Sequence, residues 1–166
     1  MRAKRLVAMA IAGGALFPLA WASPASAATV PAVYIHVIQY SPAGPDTPVT
    51  TAKLDGEWVL LTNTTGKAVS LTHWTLRDPV HLASHVYTFP PFTLKAHASV
   101  EIHTGTGKNT AANLYWGHKP PASTSYVWNN SGKETATLRN AAGKVIDTRS
   151  YTGKAVSGPA QAIFKP

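Results

Sequence analysis

Glu57 to Phe89, EWVLLTNTTGKAVSLTHWTLRDPVHLASHVYTF, constrains this chain more than any other stretch, because its side chains alternate in character with a period of two. Residues two apart on a strand share a face, so Glu57, Val59, Leu61 and Asn63 oppose Trp58, Leu60 and Thr62. Thr64 to Lys67 reads as a turn. Beyond it Val69, Leu71, His73 and Thr75 oppose Ala68, Ser70, Thr72, Trp74 and Leu76. The two runs predict an antiparallel hairpin, and His85 to Phe89 predicts a third strand. Val59, Leu61, Trp74 and Leu76 are the expected core residues.

The same short-period pattern continues on either side. Val33 to Tyr40 reads as a first strand, with Val33, Ile35, Val37 and Gln39 on one face and Tyr34, His36, Ile38 and Tyr40 on the other. Ser41 to Lys53 contains Pro42, Gly44, Pro45 and Pro48, and proline cannot donate to a strand ladder, so a loop is expected there. Phe92 to Leu94 and Ser99 to Thr104 follow as strands. Thr135 to Asn140 and Lys144 to Tyr151 form a last pair across Asn140-Ala-Ala-Gly143, a turn with glycine where a positive φ is needed. Gly105 to Lys133 is the least regular part, and long irregular loops are often functional. No helical period and no internal repeat stands out. The domain organisation is therefore a segment 1–27, one all-β domain over 28–154 and a tail, 155–166, expected to dock weakly or fray.

The order of these runs resembles a known family. Glu57-Trp-Val-x-Leu-x-Asn, Ala68-Val-Ser-Leu-Thr-x-Trp-Thr-Leu-Arg-Asp and Val86-Tyr-Thr-Phe-Pro are similar to the lamin tail domain, as are Phe92 to Gly105, Asn113-Leu-Tyr-Trp-Gly, Val127-Trp-Asn-Asn and Glu134 to Tyr151. The resemblance covers roughly residues 33 to 152 and implies an immunoglobulin-like antiparallel β-sandwich of the secreted bacterial branch. Pro79 to Ser84 is longer than the family's usual turn. Relatives of this kind imply a binding role: in lamins the domain engages proteins and DNA, and in bacteria it accompanies surface hydrolases. Glu57 stands where the family has a glutamate and reads as structural, hydrogen-bonded to a loop backbone.

Met1 to Ala27 has the three parts of a secretory signal: basic Arg2, Lys4 and Arg5, an apolar run from Leu6 to Ala20, and small residues ending in Ala25-Ser26-Ala27. The run is shorter than the roughly 20 residues of a membrane span and contains Pro18, so cleavage before Ala28 and an extracellular location, free or at the cell wall, are expected. Cleavage leaves 12 Lys and Arg against 7 acids, a net charge of +5 rather than +8. The remaining basic residues are scattered, unlike a phosphate-tracking surface. With no cysteine, disulfides and thiolate metal sites are excluded, and stability must come from the core.

No nucleophile elbow and no paired carboxylates of a hydrolase occur, so an enzyme is not expected, nor is a cofactor. Asp78, His81 and His85, with His73 nearby, form the best metal-ligand set, but Pro79 and the strand-like residues after His85 oppose the helix that an x3 spacing needs. Tyr115, Trp116, Tyr126 and Trp128 are interleaved with Lys108, Lys119 and Lys133. Aromatic faces stack on sugars or bases and amines attract anions, so this group is the candidate ligand-binding surface, to be weighed against burial of each tryptophan as a lid on the sandwich. The leading expectation is a secreted, non-catalytic module that contacts a protein or a cell-wall polysaccharide. Weak non-specific nucleic-acid binding and metal binding through loop histidines are the alternatives.

Overall fold

The computed structural model describes residues 30–121, 126–154 and 158–166, so the expected export signal lies outside the described residues. Its strands are β1 (Val33–Ser41), β2 (Trp58–Asn63), β3 (Val69–Ser70), β4 (Thr75–Arg77), β5 (Val86–Thr88), β6 (Thr93–Leu94), β7 (Ser99–His103), β8 (Asn113–Tyr115), β9 (Gly132–Arg139), β10 (Val145–Gly153) and β11 (Ala160–Ile163). One sheet runs β11-β1-β2-β7-β8, a second runs β10-β9-β4-β5, and β3 pairs with β6 beside them. The pairings are antiparallel except β7 with β8. This is the all-β sandwich that the alternation predicts, of the immunoglobulin-like kind that the resemblance implies.

The inner faces supply the core. Val59, Leu61 and Leu76 are completely buried, together with Ile35, Ile38, Phe89, Ile102 and Leu138. Each such aliphatic side chain stabilises the fold by about 1.5–3 kcal/mol relative to exposure. Trp74 is different. It stands just before β4, beside Val69 and Ile146, and packs against the core only half-buried at the rim.

The expected hairpin of Glu57–Asn63 with Ala68–Leu76 does not form. Both edges of β2 are taken, by β1 and β7, while β3 pairs with β6 and β4 with β5 and β9. Asn63 explains the departure. Its amide nitrogen donates to the carbonyls of Lys67 at 2.8 Å, Leu94 at 3.3 Å and Lys95 at 2.9 Å, and its oxygen accepts from the Thr65 N–H and hydroxyl. These bonds fold the Thr64–Lys67 turn against β6 and send the chain across to the other sheet. A period of two reports which face is buried, not which strand lies alongside.

Strand β1 also departs from simple alternation. Ile35 is opposite Leu61 and Val37 is opposite Leu60, so His36 is an extra residue, a β-bulge. The Ile35 N–H is satisfied by the Asp147 carboxylate of β10 at 2.8 Å, beside a second register shift between Val145 and Asp147. Past the bulge the faces exchange: Val33 and Ile35 join the core before it, Ile38 and Tyr40 after it. The expected grouping of Ile35 with Val37 and Gln39 is thereby corrected.

Two further segments differ from expectation. The proline-rich loop ends in a short helix α1 (Thr51–Asp55), capped by the Thr50 hydroxyl, which accepts from the Lys53 N–H at 3.3 Å, and anchored by buried Leu54. Residues 160–163 of the tail do not fray. They form β11 on the free edge of β1, and Phe164 donates its N–H to the His36 carbonyl at the bulge. The Asn140–Gly143 turn closes β9 onto β10 with Gly143 at φ 78°, a conformation that L residues adopt only under strain.

Replacing Asn63 by Ala removes a donor from three carbonyls, of which Lys67 keeps the Thr65 hydroxyl and Lys95 the Ala98 N–H, and is expected to lower the unfolding free energy by about 1–3 kcal/mol in urea denaturation. A loss below about 0.5 kcal/mol would show that the crossover is held by something other than this amide.

Candidate functional site

Where α1 gives way to β2, the Glu57 side chain turns inward and is fully buried. Its Oε1 accepts from the Thr104 hydroxyl at 2.7 Å and from the Val127 N–H at 2.8 Å, and the Trp128 N–H also bonds the carboxyl. The Thr104 N–H in turn donates to the Glu57 carbonyl at 2.9 Å. One carboxyl thus fastens the segment around Val127 and Trp128 to the ends of β2 and β7. Burial pushes its pKa up to about 8, the three donors opposing that rise.

The fastened segment builds one wall of a cleft. Tyr126 donates its hydroxyl to the Asp46 carbonyl at 3.3 Å, and Asn130 donates to the Asp46 carboxylate at 2.7 Å. Asn129 donates to Glu134 Oε2 at 2.6 Å, while its carbonyl accepts from the Tyr151 hydroxyl at 2.9 Å. Tyr40, turned inward by the β1 bulge, stacks on Tyr151 with ring centroids 4.6 Å apart. Between these groups lies a cleft of about 330 Å³, lined by Tyr40, Asp46, Glu57, Tyr126, Trp128, Asn129 and Asn130 and, from the Pro79–Ser84 side, by Leu82 and His85. Its size is at the low end of the roughly 300–1,000 Å³ usual for ligand sites.

Its electrostatics run against the charge of the whole chain. Asp46, Glu57, Asp78 and Glu134, four of the 7 acids, gather at this end. The Tyr126 phenol is pushed up to about 12, by burial first and then by Asp46 and Glu57. Burial raises Tyr151 too, with Glu134, Glu57 and Asp78 adding to it. Glu134 is itself raised by burial, with Asp78 contributing.

The structure divides the sequence-predicted residues. Tyr126 and Trp128 line the cleft, although Trp128 is buried and is as much core as wall. Trp116 is half-buried, donates its indole N–H to the Ser84 carbonyl at 2.8 Å and meets Trp128 edge-on at 6.1 Å, the lid role weighed for it above. Tyr115 stacks on His103 at 5.0 Å and packs over Gly107, where a Cβ would stand 2.3 Å from its ring. Lys108, Lys119 and Lys133 are exposed, and none lines the cleft, so the expected interleaving of amines with aromatics is not realised there.

Of the metal-ligand set, Asp78 and His85 meet, with Oδ2 to Nδ1 at 2.5 Å, whereas His81 is exposed and His73 lies on a left-handed turn at φ 62°. Among the described residues no three His, Asp or Glu side chains converge as a metal shell would require. Sequence reasoning missed Tyr40, Asp46, Asn129 and Asn130 as site residues. Asp46 sits in a proline-rich loop with no motif, and Tyr40 reaches the cleft only because of the bulge. The one available signal was the long Pro79–Ser84 insertion, which carries Leu82 and leads to His85.

The family model described as Lamin Tail Domain matches residues 26–153, most of the chain. The match stops short of β11. No curated protein matches the sequence significantly.

Glu57 binds a proton up to about pH 8 when folded but only to its ordinary value of 4.5 when unfolded. The folded state therefore holds more protons between those limits, and stability present below 4.5 is lost as pH rises through 8. Melting temperatures measured from pH 5 to 9 should fall, with Asp55 and Glu134, also raised, acting in the same direction. Glu57→Gln, which mimics the protonated acid, should flatten that fall; an unchanged slope would remove Glu57 as its main source.

Proposed function

The chain belongs to the lamin tail domain family, and from that premise we propose that it is a secreted, non-catalytic binding module of the bacterial branch, whose loop-end cleft takes an extracellular ligand. The observation that carries this reading is the cleft itself. It is concave, walled by Tyr40, Tyr126 and Trp128 with a few polar groups between them, and fastened by a buried carboxyl instead of being left to a loose loop. A fixed wall spares a ligand the cost of ordering it.

Export rests on the three-part pattern of Met1 to Ala27, and retention at the cell wall would follow from the ligand. Among the described residues no helix is long and apolar enough to cross a membrane. The acids around the cleft oppose a polyanion there, which favours a protein or polysaccharide ligand over nucleic acid.

Mass spectrometry of the exported protein should find Ala28 as the first residue. In thermal-shift titrations of residues 28–166 against wall polysaccharide, Tyr126→Ala should weaken binding about fivefold to tenfold, with Lys108→Ala and Lys133→Ala within about twofold of the parent. Affinity that follows the lysines and falls steeply with salt would instead place binding on the basic surface.

A further inference from the structure

Three side chains in the wall of the cleft are almost wholly buried yet keep a polar atom that no other described residue satisfies. Trp128 is 1% exposed, and its indole N–H has no acceptor. Tyr40 is 6% exposed, its ring is held by the stack on Tyr151, and its hydroxyl has no partner among the described residues. His85, which also lines the cleft, is 8% exposed and gives Nδ1 to Asp78, and its Nε2 has no partner among the described residues. Buried polar groups are normally paired, and an unpaired one costs about 1–3 kcal/mol. The Trp128 indole N–H is such a group, and with the Tyr40 hydroxyl and His85 Nε2, which keep some contact with solvent, it makes a set of positions for a ligand's polar atoms.

Their chemistry selects the ligand. With Nδ1 bonded to the Asp78 carboxylate, His85 Nε2 is the ring atom left for a ligand, an acceptor on the neutral ring and a donor on the imidazolium. The indole of Trp128 can only donate, and the phenol of Tyr40 can do both. An ammonium group has no lone pair for the indole N–H. An anion satisfies the indole but meets Asp46 and the other carboxyls gathered here. A hydroxyl both donates and accepts, and the C–H faces of a ring that bears hydroxyls pack on aromatic walls. Resting on the binding reading above, we infer that the cleft takes one unit of a neutral saccharide, its hydroxyls bonded to the Trp128 indole, the Tyr40 phenol and His85 Nε2.

The test uses the ¹⁵N-labelled mature chain, residues 28–166, titrated with four oligosaccharides: cellotetraose and N-acetylated chitotetraose (neutral), the fully deacetylated chitosan tetramer (cationic) and tetragalacturonate (anionic). The indole N–H signal of Trp128 is identified by elimination with Trp58→Phe, Trp74→Phe and Trp116→Phe, none of which lines the cleft. A neutral tetramer should move that signal downfield as the N–H gains an acceptor. Tyr40→Phe, which keeps the stacked ring, should weaken the effect about fivefold to tenfold while melting like the parent.

If only the charged oligomers move the Trp128 signal, the neutral-saccharide assignment is overturned and the binding cleft stands. The assignment also fails if neutral tetramers leave the signal in place at millimolar concentration, or if Tyr40→Phe binds as well as the parent. Wall polysaccharide that binds undiminished to Tyr126→Ala would remove the cleft reading itself.

Discussion

The carboxyl group of Glu57 ties the segment at Val127 and Trp128 to the place where the end of α1 meets the Thr104 end of β7. Burying a carboxyl is unfavourable unless its oxygens are bonded, and the Thr104 hydroxyl and two main-chain N–H groups do that here. The same bonds satisfy donors of an irregular segment that would otherwise lie buried without partners. Trp128 can therefore sit inside the sandwich end although no strand carries it there. Asp46, Asn130, Asn129 and Tyr151 extend the network outward from that anchor. Remove the anchor and the cleft loses its wall.

Charge is distributed against the chain's average. The sequence as a whole is basic, yet four of its 7 acids surround one end of the sandwich, and two of them, Glu57 and Glu134, have pKa values raised by burial. Net charge governs approach at long range, while contact is governed by the groups actually present in the cleft. These are aromatic faces, amides, His85 and the Asp46 and Glu57 carboxyls. Lys108, Lys119 and Lys133 stay outside the cleft and add to the general positive field.

Much of the architecture was legible, and for a simple reason: alternation encodes burial. Glu57, Val59, Leu61 and Asn63 were read as one face, and all four are buried. The β9–β10 hairpin could also be read, because Asn140 to Gly143 contains its own turn chemistry. The partner of β2 could not. Its neighbours β1 and β7 are distant in sequence, and the device that diverts the chain, Asn63, spends its amide on carbonyls about thirty residues away. Nothing local distinguishes such an Asn from one in an ordinary turn. The cleft-lining residues were legible only where aromatic residues announced themselves, at Tyr126 and Trp128.

What the sequence determined by itself is the inward face of β2, which follows from its alternation, and, through the resemblance to the lamin tail domain, the fold family and the structural reading of Glu57. What the tertiary structure decided is which residues share the cleft. The bulge at His36 exchanges the faces of β1, held open by an Asp147 carboxylate from β10 and by the Phe164 N–H beyond β11, and so delivers Tyr40 to Tyr151. A shift of one residue reverses every side chain beyond it, and the groups that impose this one lie more than a hundred residues along the chain from the bulge.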